Sequence, residues 1–142
     1  MMSKLLIFPL LAVSVILFAL MTLTGVGSSE TVAWYDQTAM VLGLVNDKWV
    51  VTFGDIFIMV SMGLLFVELL RATQTGTDSI LNHAFSVVVF VISLLLFVIV
   101  KGFGNSTFFL LVIMTFLDFM AGFIVTTVTA RRDFAVSDGL VR

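Results

Sequence analysis

The chain has 142 residues, of which 61% are hydrophobic and only 11% charged, with a formal net charge of −2 and a mean hydropathy of +1.23. Soluble domains carry roughly a quarter charged residues, so the composition excludes an ordinary soluble protein, and the few scattered basic residues exclude a nucleic-acid surface. With no cysteine in the sequence, disulfides, thiolate metal sites and cysteine nucleophiles are excluded as well.

A membrane-spanning helix takes about 20 mostly apolar residues, and four segments have that length and character: residues 5–25, 49–70, 84–103 and 107–128. The pieces between them are too short to bury a soluble core of their own. The expectation is an all-α membrane protein, residues 1–142 forming one domain of four transmembrane helices in an antiparallel bundle within a lipid bilayer.

The first span follows Met1-Met2-Ser3-Lys4. Its apolar run to Leu23 exceeds the 7–15 residues of a signal-peptide core, so a retained first helix is expected, and the small residues Gly25-Val26-Gly27-Ser28 mark where a peptidase would otherwise cut. Pro9 is expected in the first turn or two, where a missing N–H costs least. The long connection that follows holds Trp34, Tyr35 and, at its end, Trp49. Such rings favour the headgroup zone, which predicts a short interfacial helix over residues 30–44 and Trp49 opening the second span; a partner-docking loop is the alternative.

On the second span Gly54, Ser61 and Glu68 recur every seven residues, as do Ser86 and Ser93 on the third, a spacing suited to left-handed helix packing. Asp55 and Glu68 bracket the second span and are expected near its two interfaces. Asp55 is then level with Lys101, giving a candidate ion pair between the second and third helices, while Glu68 and Arg71 have the i, i+3 spacing of a helix-surface pair. Asp78 or Ser79 is suited to cap the third helix. Gly102 and Gly104 can end it in left-handed geometry, and Asn105, Ser106 or Thr107 can cap the fourth, making a tight hairpin.

Asp118 is the deepest charge. Its nearest charged neighbours in sequence are Lys101 and Arg131, and the 13 residues to Arg131 span about 20 Å of helix, which sets Asp118 near the bilayer midplane. A carboxylate facing lipid there is costly. Thr115, Ala121 and Gly122 lie three or four positions away and form a small, polar face that permits close helix approach, so Asp118 is expected to point inward. Ser14, Ser61 and Ser93 fall near the middle of the other three spans, which predicts a buried polar layer of Ser14, Ser61, Ser93 and Asp118. Its readings are polar glue that fixes helix register, a proton or cation relay, or a contact between subunits.

Basic residues collect on cytoplasmic flanks. With the N-terminus inside, Lys4, Arg71, Arg131, Arg132 and Arg142 are cytoplasmic and only Lys48 and Lys101 are outside, which predicts both termini in the cytoplasm. His83 is the single histidine, so haem held by two histidines of one chain is excluded and no clustered zinc ligands accompany it. No paired base activates a serine or threonine. No cofactor, metal or catalytic residue is expected, and an enzyme is the weakest class.

At Ser106-Thr107-Phe108-Phe109-Leu110, Asp118, Ala121-Gly122-Phe123 and Arg131-Arg132-Asp133 the sequence resembles an uncharacterised family of small bacterial four-span inner-membrane proteins, over about residues 49–134. The resemblance implies an inner (plasma) membrane location and no particular activity. Small multidrug transporters are similar only in size and helix count, because the membrane-embedded glutamate of their first helix has no counterpart in residues 5–25. Two functions are left: a structural or accessory membrane protein that packs with itself or a larger complex, and a small proton- or ion-coupled transporter that uses Asp118.

Overall fold

Pro9 sets where the first helix begins. It is extended (φ −64°, ψ 129°), and α1 (Leu10–Thr24) starts immediately after it, so the proline stands before the helix and not inside its first turns. Its ring disfavours a helical residue ahead of it, and its carbonyl accepts from the Ala12 N–H at 3.1 Å. The helix ends at Gly25, left-handed at φ 69°. The computed structural model describes residues 8–72 and 77–139, the side chains of 72, 77–80, 83, 126 and 129–139 excepted. The start of the first expected span, Lys4 and Arg142 lie outside the described residues, as do the side chains of Asp78, Ser79, His83, Arg131 and Arg132.

The connection after α1 differs from the interfacial helix predicted over residues 30–44. A single 3₁₀ turn (Trp34–Asp36) leads into an antiparallel hairpin of β1 (Thr38–Gly43) and β2 (Lys48–Thr52), with Leu42 opposite Trp49 and Val41 opposite Val50. Thr38, Val41, Val50, Val51 and Thr52 are β-branched and favour a pleated surface over a helix. Asp47 closes the turn, its carbonyl accepting from Leu44 N–H at 2.8 Å and its Oδ1 from Lys48 N–H at 2.7 Å. Trp49 therefore lies on a strand, and α2 (Phe53–Ala72) starts four residues later.

The remaining elements are α3 (Thr77–Ile99) and α4 (Ser106–Gly139), so the chain is mostly helical, with four helices among the described residues. Gly102, left-handed at φ 95°, makes the turn between them. Asn105 caps α4, its Oδ1 accepting from Phe108 N–H at 2.9 Å, as its small polar side chain predicts. Phe97 meets Phe109 and Phe90 meets Phe116, which makes α3 and α4 antiparallel neighbours. Leu11 meets Glu68 and Ser14 meets Ser61, which makes α1 and α2 antiparallel as well.

Among the described residues two helices, over Phe53–Arg71 and Ser106–Val125, are long and apolar enough to cross a membrane; Leu10–Thr24 and Ala84–Ile99 are apolar but shorter. Among the described side chains the surface of all four helices is largely apolar, with Leu20, Met59, Val98 and Phe123 among many exposed large residues. The interior holds polar groups: Ser14, Ser61, Glu68, Asn82, Ser86, Ser93, Thr115 and Asp118 are all buried. Apolar outside and partly polar inside reverses the usual order of a water-soluble protein.

Candidate functional site

The interior divides into two zones. Towards the β-hairpin end, Phe18 is completely buried within a cluster of rings. It meets Trp34 edge-on at 5.1 Å and stacks on Tyr35 at 5.8 Å, with Phe57, Phe103 and Phe108 completing the shell. The 3₁₀ turn is pinned over this cluster. Trp34 donates from its indole to Thr22 Oγ1 at 3.2 Å, its backbone N–H donates to Ser28 Oγ at 3.1 Å, and Gln37 Nε2 donates to the Gly27 carbonyl at 2.5 Å. Burial first, and then the adjacent Asp36, raise the Tyr35 phenol above its ordinary pKa, partly offset by its hydrogen bond with the Asn105 side chain.

Towards the other end the interior is polar. Ser61 Oγ donates to Ser14 Oγ at 3.0 Å, joining α2 to α1 in the layer the sequence predicts. Ser93 is buried with them, but its hydroxyl donates to the Val89 carbonyl of its own helix at 2.7 Å, the back-bonding that serine readily makes within helices. Thr115 does the same, to Val112 at 2.8 Å. Asp118, 2% exposed, points inward and not to the helix exterior.

Glu68 departs most from expectation. The sequence suggests an interfacial residue in a surface pair with Arg71, yet Glu68 is 0% exposed. Its Oε2 accepts from the Leu11 backbone N–H at 3.1 Å and its Oε1 from Asn82 Nδ2 at 3.3 Å. The first turn of α1 has N–H groups with no partner inside the helix, and Pro9 provides no side-chain cap. Glu68 supplies that acceptor from α2, and a carboxylate at a helix N-terminus is also favoured by the helix dipole. Asp118 and Arg71 both act electrostatically on Glu68, so Glu68 and Asp118 belong to one buried acidic layer, extended on α3 by Asn82 and by Ser86, whose hydroxyl donates to the Asn82 carbonyl at 3.2 Å. Asn82 Oδ1 is buried there with no hydrogen-bond partner among the described residues.

Glu68, Asn82 and Ser86 were outside the predicted layer, although the seven-residue spacing Ser61 to Glu68 and the four-residue spacing Asn82 to Ser86 set them on the same faces as Ser61 and Ser93. The expected Asp55–Lys101 pair does not form. Both residues are exposed, and the Asp55 carboxylate turns back on the start of α2, where Oδ2 accepts from Thr52 N–H and Thr52 Oγ1 at 2.9 Å each while Thr52 Oγ1 accepts from Asp55 N–H at 3.1 Å. This reciprocal cap is local and already ordered, whereas pairing with Lys101 would require immobilising a long exposed side chain for little gain.

Among the described residues no group of three or more His, Asp or Glu side chains is placed to hold a metal ion. No family model, no curated protein and no solved structure matches the chain.

Proposed function

We propose that this chain is a multi-pass protein of the bacterial inner membrane, its four helices forming an antiparallel bundle with both termini cytoplasmic, and that it serves as a structural or accessory component that packs with itself or with a larger membrane complex. The inside-out distribution of polar and apolar residues supports the membrane reading, since helix exteriors of this kind suit acyl chains. The Lys and Arg asymmetry supports the orientation, and the family resemblance supports the bacterial inner membrane.

The observation that carries the accessory role is the hairpin. It is apolar on both faces, with Leu42 and Trp49 on one and Val41 and Val50 on the other, and Leu44 and Val45 at its tip, Val45 being 99% exposed. A two-stranded ribbon is marginal by itself in water, and clustered exposed apolar side chains mark contact surfaces. Val45→Asp places a charge at the tip without touching the interior. In mild detergent the wild-type chain is expected to run as an assembly that Val45→Asp disperses; a wild-type chain that is already a single copy with no partner overturns the reading. With no native cysteine, topology can be read separately: an impermeant maleimide on intact cells should label Val45→Cys and not Ser137→Cys, and the opposite pattern inverts the orientation.

A proton- or ion-coupled transporter that uses Asp118 is the second reading, favoured by the presence of Glu68 in the same buried acidic layer. Intramembrane carboxyls commonly mark ion or proton paths. The Phe18 ring cluster weighs against a continuous path, because it fills the interior between that layer and the hairpin end. Asp118→Asn retains shape and removes titration: loss of proton-dependent uptake with intact folding would favour transport, and an unchanged phenotype favours glue.

A further inference from the structure

The Asn82 carboxamide is buried, and only one end of it is used. Nδ2 donates to Glu68 Oε1 at 3.3 Å, while Oδ1 is closed to solvent and has no hydrogen-bond partner among the described residues. A buried acceptor without a donor carries its full desolvation cost. We propose that Glu68 binds a proton on Oε1, with the Asn82 carboxamide turned end for end so that Oε1–H donates to Oδ1. The site is distinct from Asp118, on which the transport reading rests, and it holds whether or not the chain moves a substrate.

Contact, charge and ligand size all favour a proton. Oε1 and the carboxamide already touch, and the two ends of a carboxamide are nearly alike in size, so the turn leaves the packing of α2 on α3 intact. Glu68 Oε2 keeps the Leu11 N–H at 3.1 Å in both states, so α1 stays capped. Among the described side chains, the charges acting on Glu68 are Asp118 on α4 and Arg71 on α2 itself. The α1 sequence holds no charged residue, and the two titratable side chains of α3, Asp78 and His83, lie outside the described residues. Two buried acids against one guanidinium leave one negative charge uncompensated in the interior, a costly arrangement, and one proton removes it. A water molecule donating to Oδ1 would leave that charge unchanged. A metal cation would need several oxygen ligands around one point, and no group of three or more acids among the described residues supplies them. A proton needs one donor atom and one acceptor, and the Glu68–Asn82 contact has both. On uptake an O–H bond forms at Oε1 and the carboxylate becomes a neutral acid. The proton comes from the aqueous phase at the end of α2, where Arg71 is partly exposed, because the Phe18 ring cluster closes the opposite direction.

The test is infrared spectroscopy of the full-length protein in lipid vesicles while the bathing pH is stepped. Glu30 and Glu68 are the two glutamates, and Glu30 is exposed, so Glu30→Gln leaves Glu68 as the only one. In that background the carbonyl stretch of a protonated carboxylic acid is expected, appearing and disappearing reversibly with pH. It should move when the chain carries isotopically labelled glutamate and stay in place with labelled aspartate, which identifies the acid without altering the layer. Asn82→Leu removes the acceptor and should shift the band to higher frequency. Glu68→Gln should abolish the band with little change in melting temperature, because its Nε2 donates to Asn82 Oδ1 as the protonated acid does and its Oε1 accepts from Leu11. A band that follows labelled aspartate puts the proton on Asp118 and overturns the proposal. So does the absence of any such band at every pH at which the chain stays folded, or a band that Asn82→Leu leaves in place. A chain that Glu68→Gln unfolds requires the carboxylate charge, and that result also overturns it. None of these outcomes involves uptake, so they are separate from the Asp118→Asn test of transport.

Discussion

Gly54 provides the sharpest test of how the hairpin end is packed. It sits in the first turn of α2, and a Cβ built on it would lie 2.7 Å from the Tyr35 carbonyl oxygen, 2.8 Å from Thr107 Oγ1 and 3.2 Å from Tyr35 Cβ. The Thr107 hydroxyl can rotate away, but the Tyr35 carbonyl is backbone, and Tyr35 is stacked on Phe18. Overpacking of this kind costs about 1–3 kcal/mol. The helix-propensity gain of alanine over glycine, at most about 1 kcal/mol in a helix interior, is smaller in a first turn. Gly54→Ala should therefore lose about 1–2 kcal/mol, a fall of roughly 3–6 °C in melting temperature for a chain of this size, read by circular dichroism in mild detergent. Gly63, on the same helix, has nothing within 4 Å of its Cβ direction, so Gly63→Ala should be neutral or raise the melting temperature. Adding Thr107→Ala to Gly54→Ala should recover only part of the loss, because the backbone contact persists. Equal effects of the two glycine substitutions, or full recovery, would refute the close approach of the 3₁₀ turn to α2.

Three further outcomes follow from the site. Thr52→Ala removes the reciprocal cap with Asp55 and should cost about 1 kcal/mol, whereas Lys101→Ala should leave the melting temperature unchanged; a drop for Lys101→Ala would restore the ion pair. Tyr35 is the single tyrosine, so tyrosinate absorbance reports it alone. Its folded pKa is raised above 10.0, so the stability it contributes is present below pH 10 and is lost as pH rises through the folded value; a midpoint at or below 10 in the folded chain contradicts the partial burial of the phenol, and Tyr35→Phe should flatten the alkaline loss of stability. For Ser14 and Ser61, a double-mutant cycle to alanine should give a coupling of about 0.6 kcal/mol, the average for hydrogen bonds between membrane helices, and zero coupling would mean that the bond in the layer does not form.

How much of this was legible beforehand depends on whether a residue's surroundings come from its own segment or from another. The Gly102–Asn105 turn, the core of α2 and α4, the Ser14–Ser61 contact and the inward face of Asp118 follow from local spacing and polarity, and the sequence carries them. The hairpin was misread because Trp34, Tyr35 and Trp49 signal an interface without distinguishing helix from strand, whereas the β-branched residues of Thr38–Gly43 and Lys48–Thr52 do distinguish them. Glu68 is the more instructive case. The seven-residue step from Ser61 gave its direction, but its depth was measured along α2 alone, as though the end of an apolar run were the edge of the protein interior. The depth is set by α1. A helix begun directly after proline leaves N–H groups that Pro9 cannot cap, and the Glu68 carboxylate reaches the Leu11 N–H from the neighbouring helix. The signal for its burial is thus a pair of features in two segments, a helix start without a polar cap and an acid on the inward face of its partner. Neither means much alone, and together they account for an acid at the end of an apolar span being drawn inside.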